Sequence, residues 1–341
     1  MRKDTPAPGV WFPTIRAGTG ADVYTERLAA GLETRGIRTQ ITWLPHRAEY
    51  APWTVPVPQP PSWANIVHVN SWLHRRFIPR GLPLMATVHL CVHDPALTPY
   101  KSGAQALYHR FWIRPIECLA LRNAQRVVAV SRYTAERTAA EFPGIDVRII
   151  HNGTGLPDED ATVMGRRRPH RPFRLLYVGN WSLRKGVDLL APIMRTLGSE
   201  FQLQYTADSH GAHVKASLPP NCSCIGRLNA EDLQQAYRDA DALLFPSRLE
   251  GLPLAVMEAM ANGLPVIAAE ASSVPEIITN GVDGLFFATD DAEGAVTAIK
   301  RLASDPVMWR ALHLAARTTA LSHFSLDRML DEYLALYHPL S

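Results

Sequence analysis

The sequence is 341 residues long, a length that suggests two domains of ordinary size. Apolar residues make up 47% of it and charged residues 20%, and this balance excludes a disordered, collagen-like or fibrous protein. No apolar run approaches the roughly 20 residues of a membrane-spanning helix, and the basic start has no apolar signal core behind it, so we expect a cytoplasmic protein. The four cysteines are too few for a disulfide scaffold.

Charge is divided unevenly between the two halves of the chain. Residues 1–168 hold 21 Lys and Arg against 13 Asp and Glu, a net charge of +8, whereas residues 169–341 hold 14 against 19, a net charge of −5. A basic first half is consistent with nucleic acid, an anionic membrane surface or an acidic acceptor as the partner. The sequence lacks a recognised nucleic-acid-binding module, so we do not expect nucleic acid among the partners.

Short apolar runs alternate with helical patterns in both halves. In the first half we predict strands at residues 9–12, 40–44, 66–70, 84–89, 126–131 and 147–151, and helices at 21–34 and 104–123. In the second half we predict strands at 173–179, 201–206, 242–246, 265–268 and 284–287, and helices at 187–197, 230–238, 291–303 and 325–337. Such alternation is typical of βαβ units, so we predict an α/β protein with two parallel sheets in tandem.

The segment between the two series, residues 154–172, is rich in Gly, Pro and charge and is therefore read as a linker. It contains the acidic triplet Asp158, Glu159 and Asp160. Three neighbouring carboxylates could suggest a metal site, but in a linker we interpret them as a solvated turn.

Ligands of open parallel sheets bind at the carboxyl ends of the strands, where loops and helix N-termini present backbone N–H groups. Five segments follow predicted strands in this way: Gly18-Thr19-Gly20, His89, and residues 179–186, 246–254 and 272–276. The Gly18 to Gly20 turn would let an anion approach the next helix, or it is simply a structural turn. It matches neither G-x-G-x-x-G nor a phosphate-binding P-loop, so the dinucleotide and NTPase readings receive no support.

Charged residues in two of these segments suggest recognition of a nucleotide diphosphate. Arg184 and Lys185 follow a strand and a glycine turn, where they could clamp a diphosphate or merely begin a solvated helix. Glu250 would reach a sugar hydroxyl, and the exposed amides of Gly251, Leu252 and Leu254 would face a phosphate. Glu258 lies in an apolar helical run, where a carboxylate is costly without a partner, and its two oxygens could hold a ribose diol.

The spacing of the two glutamates, Glu250-GLPLAVM-Glu258, resembles the E-x7-E hallmark of GT-B glycosyltransferases of the family 4 type. Other segments resemble the same family: TVH (87–89), VVAVSRYTAE (127–136), IIHNG (149–153), YVGNWSLRKGVDLL (177–190), DADALLFPSRLEGLPLAVMEAMANGLPVIA (239–268) and SSVPEIITNGVDGLFF (272–287). The resemblance implies two Rossmann-like, doubly wound domains that face each other across a cleft. It assigns residues 1–160 to acceptor binding, 161–324 to the nucleotide sugar, and 325–341 to a helix that crosses back to the first domain.

The resemblance also implies an activity: retaining transfer of a hexose from a UDP- or GDP-linked donor, without a metal ion or another cofactor. The acceptor would be a hydroxyl of a glycan or lipid-linked glycan in cell-surface polysaccharide synthesis. By position, the catalytic residues would be His89, Arg184, Lys185 and Glu250. The donor would be bound by the last three of these together with Gly18, Gly20, Gly179, Gly251, Leu252, Pro253, Leu254 and Glu258.

Two questions stay open: which glycine of the first loop approaches the donor, and whether the protein is a transferase. Many relatives carry adjacent glycines in the first loop, so the spacing of Gly18 and Gly20 leaves open which glycine approaches the donor. A catalytically silent sugar-nucleotide-binding subunit or a GT-B epimerase would also retain a donor site, and a donor-hydrolysis assay separates the silent subunit from an enzyme.

Arginines interleaved with aromatic residues suggest a peripheral contact of the first domain with the inner face of an anionic membrane. Two clusters have this composition: Arg75, Arg76 and Arg80 beside Trp72, Phe77 and Ile78, and Arg110, Arg114, Arg122 and Arg126 beside Tyr108, Phe111, Trp112 and Ile113.

Overall fold

The structure, a computed structural model, describes residues 7–155, 165–166, 168–207 and 218–341. The chain forms two units: unit 1 consists of Met1–Asn152 with Leu326–Ser341, and unit 2 consists of Gly153–Ser325. The boundary predicted between residues 160 and 161 and the acidic triplet at 158–160 lie outside the described residues.

Unit 1 is built on a six-stranded parallel sheet with the strand order β2-β1-β3-β4-β5-β6. The strands are β1 (Gly9–Ile15), β2 (Arg38–Leu44), β3 (Ile66–Asn70), β4 (Leu84–Val88), β5 (Arg126–Ala129) and β6 (Val147–Ile149). Its first helices are α1 (Gly20–Thr34), α2 (Gly103–Tyr108), α3 (Arg114–Asn123) and α4 (Arg132–Glu141). The chain order reverses between β1 and β3, which makes the carboxyl ends of these strands the expected binding edge.

Unit 2 repeats this architecture with the strand order β12-β11-β10-β7-β8-β9. The strands are β7 (Phe173–Tyr177), β8 (Phe201–Thr206), β9 (Cys222–Gly226), β10 (Ala242–Phe245), β11 (Val266–Ala269) and β12 (Gly284–Phe287). The helices are α5 (Val187–Leu197), α6 (Ala230–Asp239), α7 (Leu254–Ala261), α8 (Ala292–Ser304) and α9 (Pro306–His323). Here the order reverses between β7 and β10, so the loops after these two strands share one crevice.

The predicted class, two doubly wound parallel sheets, is confirmed, and the differences are local. The helix predicted over residues 104–123 is interrupted by a π-helical turn at His109–Ile113. Pro115 follows this turn; it has no N–H to donate, and its ring crowds the carbonyl of the residue four positions earlier. Strand β9 was not predicted, because its residues are only partly buried and the sequence CSCIG lacks a run of β-branched residues.

The last helix, α10 (Leu326–Tyr337), belongs to unit 1, which confirms that it returns to the first domain. Its residues Met329, Leu330, Tyr333 and Tyr337 are buried in one core cluster with residues of α1. The fit is close, since a Cβ atom at Gly31 would lie 2.7 Å from Leu330. Burial of this apolar face, rather than the exposed ion pairs at the helix surface, therefore stabilises the contact.

We expect Leu330→Ala to lower the free energy of unfolding of unit 1 by about 2–5 kcal/mol, because it opens a cavity in this core. Truncation before Ser325 should destabilise unit 1 further. The control is Leu321→Ala, which removes the same atoms from a leucine that is 38% exposed on α9. Hydrogen exchange of β1 and α1 amides measures both effects; unchanged protection in the truncated chain would contradict the prediction.

Candidate active site

The loops after β7 and β10 of unit 2 touch each other, and a glycine makes this contact feasible. Gly186 has a φ of +71°, and a Cβ atom at this position would collide with the carbonyl oxygen of Pro246. The amide of Arg248 donates to the carbonyl of Arg184 at 2.9 Å. The segment that carries Arg184 and Lys185 is thereby held against the segment that carries Glu250.

This contact brings together three residues that the sequence assigned to the donor. The Lys185 ammonium lies 2.5 Å from Oε1 of Glu250, and Nη1 of Arg184 lies 3.5 Å from Oε2. The Ser247 hydroxyl donates to Oε1 of the same carboxylate at 2.5 Å, and Nη1 of Arg184 also donates to the carbonyl of Leu249 at 2.5 Å. Arg184, Lys185 and Glu250 are called the donor cluster below. Because two cations surround one carboxylate, the cluster has a net charge of +1.

The ionisation of the donor cluster follows from burial opposed by its opposite charges. Burial raises the pKa of Glu250, but the charges of Lys185 and Arg184 outweigh this and hold that pKa below its ordinary value. Burial lowers the pKa of Lys185, and the like charge of Arg184 lowers it further, while Glu250 partly offsets both effects. The carboxylate therefore stays ionised at neutral pH.

A second arginine in the same loops, Arg248, supports the donor cluster without contacting Glu250. The guanidinium of Arg248 pairs with Asp188 at 2.7 Å and with Asp290 at 2.5 Å, and it also donates to the carbonyl of Leu183. Because it contacts three separate segments of unit 2, Arg248 acts as a brace between the loops, and its own charge is compensated by the two carboxylates.

Glu258 and the residues between the two glutamates occupy a more enclosed position than the sequence suggested. Glu258 is 5% exposed on α7, and its Oε2 accepts a hydrogen bond from the Tyr237 hydroxyl at 3.0 Å. Gly251, Leu252 and Pro253 are buried residues, and α7 begins at Leu254. The Leu252 side chain belongs to the buried core, and the role of the backbone amides at a phosphate stays a prediction.

Two further contacts shape the floor of this crevice. The amide of Gly179 donates to the Thr206 hydroxyl at 3.1 Å, so this predicted donor residue lies at the carboxyl end of β7 beside β8. The amide of Glu250 donates to the hydroxyl of Ser272, whose φ is +50°. A serine in this left-handed region is strained, and such strain often marks functional sites.

In unit 1, His89 lies immediately after β4 at the carboxyl edge of the sheet. Asn70, the last residue of β3, donates its amide Nδ2 to the hydroxyl of Thr14 at 2.9 Å, so its Oδ1 faces His89. Nε2 of His89 lies 2.9 Å from this oxygen and therefore carries the donated proton. Desolvation lowers the pKa of His89 to about 3, so the imidazole is neutral at physiological pH. The rings of Tyr24 and Trp72 pack edge-on beside it.

The backbone amides of the glycine loop after β1 are already hydrogen-bonded to a carboxylate of the protein itself. The carboxylate of Asp22 accepts hydrogen bonds from the amides of Ala17 and Gly18, at 3.0 and 2.7 Å. Gly18 has a φ of +69°, as a tight turn requires, and Gly20 is the first residue of α1. A phosphate at these amides would have to displace Asp22, so their use as a donor site, predicted from Gly18 and Gly20, finds no support in this geometry.

Sequence reasoning placed Ser247 and Ser272 in candidate segments without giving either a role, and it did not identify Asn70 or Asp22. Asn70 could have been found, since it ends a predicted strand at the binding edge, as His89 does. Asp22 could also have been found, since it lies in the first turn of α1 and its amide partners are only four and five residues before it.

Within the described ranges, no group of three His, Cys, Asp or Glu side chains is arranged to hold a metal ion. Over the same residues, no helix is both long and apolar enough to cross a membrane.

Two family models match separate parts of the chain. One, described as glycosyl transferases group 1, matches residues 172–305, and the other, glycosyltransferase family 4, matches residues 62–156. Together they span about two thirds of the sequence. The chain belongs to the GT-B glycosyltransferases of the group 1, family 4 type.

Individual proteins similar to this glycosyltransferase agree with that assignment. D-inositol 3-phosphate glycosyltransferase 1 from Catenulispora acidiphila is 26% identical over 313 residues, which cover 80% of this chain and 72% of the relative. Sucrose-phosphate synthase from Thermosynechococcus elongatus has the same fold, with a TM-score of 0.76, 19% identity and coverage of 97% and 98%. HepE from Anabaena, solved in complex with UDP and glucose, matches with a TM-score of 0.69, 14% identity and coverage of 96% and 98%.

We expect Glu250→Gln to lower the free energy of unfolding by about 3 kcal/mol near neutral pH, because the buried Lys185 loses its counter-charge. The folded-state pKa of Glu250 lies below 4.5, so the carboxylate stabilises the fold fully above pH 4.5 and this contribution is lost as the pH falls through the folded-state value. The gap between variant and wild type should therefore shrink in acid.

Denaturant titrations of wild type, Glu250→Gln and the control Glu231→Gln, at neutral pH and below pH 4.5, measure this gap. Glu231 is an exposed glutamate in the first turn of α6. A gap of constant size across this range would contradict the assignment.

Proposed function

We propose that this glycosyltransferase transfers a hexosyl group from a UDP- or GDP-linked donor to a hydroxyl acceptor, with retention of anomeric configuration. The observation that carries the proposal is the donor cluster, which lies where the strand order of unit 2 reverses between β7 and β10. Its net positive charge suits the diphosphate that departs as the glycosidic bond breaks. The fold similarity to HepE, solved with UDP and glucose, supports a nucleotide donor.

Each member of the cluster, and Glu258 as well, has a distinct task in this proposal. Arg184 offers a fork of donors and Lys185 a compact charge to the phosphate oxygens. Glu250 is oriented by Lys185 and Ser247 and accepts hydrogen bonds from hydroxyls of the donor sugar. Glu258, held by Tyr237, binds the ribose diol.

The charge of Glu250 is the reason to propose retention without a covalent intermediate. A nucleophilic carboxylate must attack the sugar, but this one is neutralised by a bound ammonium and lies beside a guanidinium. We therefore propose front-face displacement within an ion pair, in place of the paired carboxylates of retaining glycosidases. The positive charge that remains on the cluster faces the diphosphate, and we propose that the reaction needs neither a divalent metal nor another cofactor.

A neutral His89 fits this reaction. The transferred sugar develops positive charge in the transition state, and a cationic imidazole beside it would raise the barrier. Because the pKa of His89 is lowered to about 3, the ring instead offers a neutral, polarisable edge whose Nε2 proton is committed to Asn70.

We expect Glu258→Ala to weaken UDP or GDP binding, whereas Glu250→Ala chiefly lowers kcat, because ribose contacts persist through the reaction while hydroxyl contacts orient the sugar. Lys185→Ala should cost about 10- to 1000-fold in kcat. The assay follows diphosphate release from a panel of UDP- and GDP-sugars, with calorimetry for affinity and Glu231→Ala as the control.

Activity should persist in EDTA. A strict divalent-metal requirement would contradict the metal-free mechanism, and equal losses of nucleotide affinity in the two glutamate variants would contradict the division of roles. Nucleotide binding without turnover of any donor would instead identify a catalytically silent subunit.

For the acceptor we propose a glycan or lipid-linked glycan of cell-surface polysaccharide synthesis, reached at an anionic membrane. The supporting feature is an apolar patch on unit 1 formed by Tyr50, Trp53, Leu107 and Phe111, which are 53% to 67% exposed. Trp112 donates to the carbonyl of Glu49 and contacts the Trp53 ring, which joins the two segments of the patch.

The structure changes which residues can take part in a membrane contact. Phe77 and Ile113 are 1% and 4% exposed, so their predicted role at a membrane is wrong: both belong to the hydrophobic interior. Arg114 pairs with Glu141, which compensates its charge. Arg47 and Arg110 are exposed on the segments that carry the patch and are the cations that the proposal uses.

We expect the protein to float with anionic but not with neutral vesicles, and to be released by high salt, since each such cation contributes about 1 kcal/mol at an anionic leaflet. Trp53→Ser and Phe111→Ser should abolish flotation. The control is Val307→Ser, at an apolar residue that is 80% exposed on unit 2. Failure of the wild-type protein to bind at low salt would favour a soluble acceptor.

A further inference from the structure

A buried carboxylate in unit 1 lies outside every role given above. Glu117 of α3 is 2% exposed, and both of its oxygens are hydrogen-bonded to side chains. Oε1 accepts from the Ser71 hydroxyl at 2.6 Å, and Oε2 accepts from Nε2 of His93 at 2.7 Å. The His93 side chain is itself 6% exposed. A carboxylate buried this deeply is costly unless such partners hold it, so the arrangement is specific.

The two partners of Glu117 belong to the loops that follow β3 and β4, the strands at whose ends Asn70 and His89 lie. Ser71 directly follows Asn70 at the end of β3, and its amide donates to the carbonyl of Thr87 in β4. His93 lies four residues after His89, in the loop that follows β4. One carboxylate thus connects the loop behind Asn70 to the loop behind His89.

We propose that Glu117 is a positioning residue that sets the hydrogen bond between His89 and Asn70. This inference rests on the proposed function, in which His89 lies beside the transferred sugar. By fixing both loops at once, Glu117 sets the distance between Asn70 Oδ1 and His89 Nε2, and with it the orientation and tautomer of the imidazole. A shift of about 1 Å in such a group is enough to cost on the order of 100-fold in rate.

The surroundings favour positioning over a purely structural role. The other buried residues of α3, Ala120 and Leu121, are apolar, so packing of this helix does not itself require a charged side chain. Buried hydrogen-bonded charges contribute little net stability compared with apolar residues of similar size, but they specify one arrangement of the groups around them. The π-helical turn at His109–Ile113 comes directly before α3, and such turns are frequent at functional sites.

The test compares Glu117→Gln, Ser71→Ala and the control Thr138→Val in the full-length protein. The glutamine keeps the shape of the side chain but removes its charge and replaces one of its two accepting oxygens by an NH₂ donor. Thr138→Val removes another buried side-chain hydrogen bond of unit 1, within α4. The readouts are kcat and KM for the nucleotide sugar, and the ¹⁵N shifts of the His89 imidazole.

We expect Glu117→Gln to lower kcat by about 10- to 100-fold while KM for the donor changes by less than about threefold, because the donor cluster lies in unit 2. The His89 ring shifts should move in Glu117→Gln and Ser71→Ala and stay in place in Thr138→Val. In an Asn70→Ala background, the loss of kcat caused by Glu117→Gln should fall to about twofold or less, because the bond that it positions is gone.

Unchanged His89 ring shifts in the two loop variants, or an equal loss of kcat with and without Asn70, would overturn the proposal. Ser71→Ala removes one contact only and keeps the test decisive if Glu117→Gln does not fold. The imidazole spectra require no turnover, so they test positioning even if the proposed transferase activity is not found.

Discussion

The ion pair between Lys185 and Glu250 is the contact on which the proposed donor site of this glycosyltransferase depends. It joins loops that are 65 residues apart in the chain, and it forms only because the sheet order reverses between β7 and β10. Taking either charge out of water alone would be prohibitive, so each requires the other. The surrounding features, including the glycine at position 186 and the brace at Arg248, serve to keep these two loops in contact.

The carboxyl edges of the two sheets carry different kinds of side chain. Where the strand order of unit 2 reverses, opposite charges compensate one another and leave a small positive excess. At the corresponding edge of unit 1, the neutral imidazole of His89 is held by the amide of Asn70, and the amides of the nearby glycine loop are bound by Asp22. In the proposed function, anion recognition is thus concentrated in unit 2, even though both units have the same sheet architecture and both present loops at equivalent edges.

Much of the fold could be predicted from the sequence, because strands buried on both faces read as unbroken apolar runs. ALLF in β10 and VIAA in β11 are of this kind. Prediction failed where local pattern and environment disagree. Phe77 lies among arginines in the sequence, yet its side chain is buried, and Pro115 interrupts a helix whose apolar spacing suggested continuity.

For the site, the family motif identified Arg184, Lys185, Glu250 and Glu258, but it could not show which of them meet. Glu250 contacts both cations, whereas the oxygen of Glu258 is hydrogen-bonded to Tyr237 on another helix. Glu117 gave no signal, because a single carboxylate in a helix has no local pattern that reveals its partner. Its hydrogen bond to Ser71 is a tertiary contact between residues 46 positions apart, whereas the partners of Asp22 are only four and five residues away.

The membership of α10 in unit 1 has a consequence for biosynthesis. Unit 2 is continuous in sequence, but the core of unit 1 stays open on the α1 side until Tyr333 and Tyr337 have been synthesised. Domains generally fold in order as they leave the ribosome. In this protein the later domain can complete its core first, whereas the core of the earlier one keeps apolar surface exposed until α10 has been synthesised.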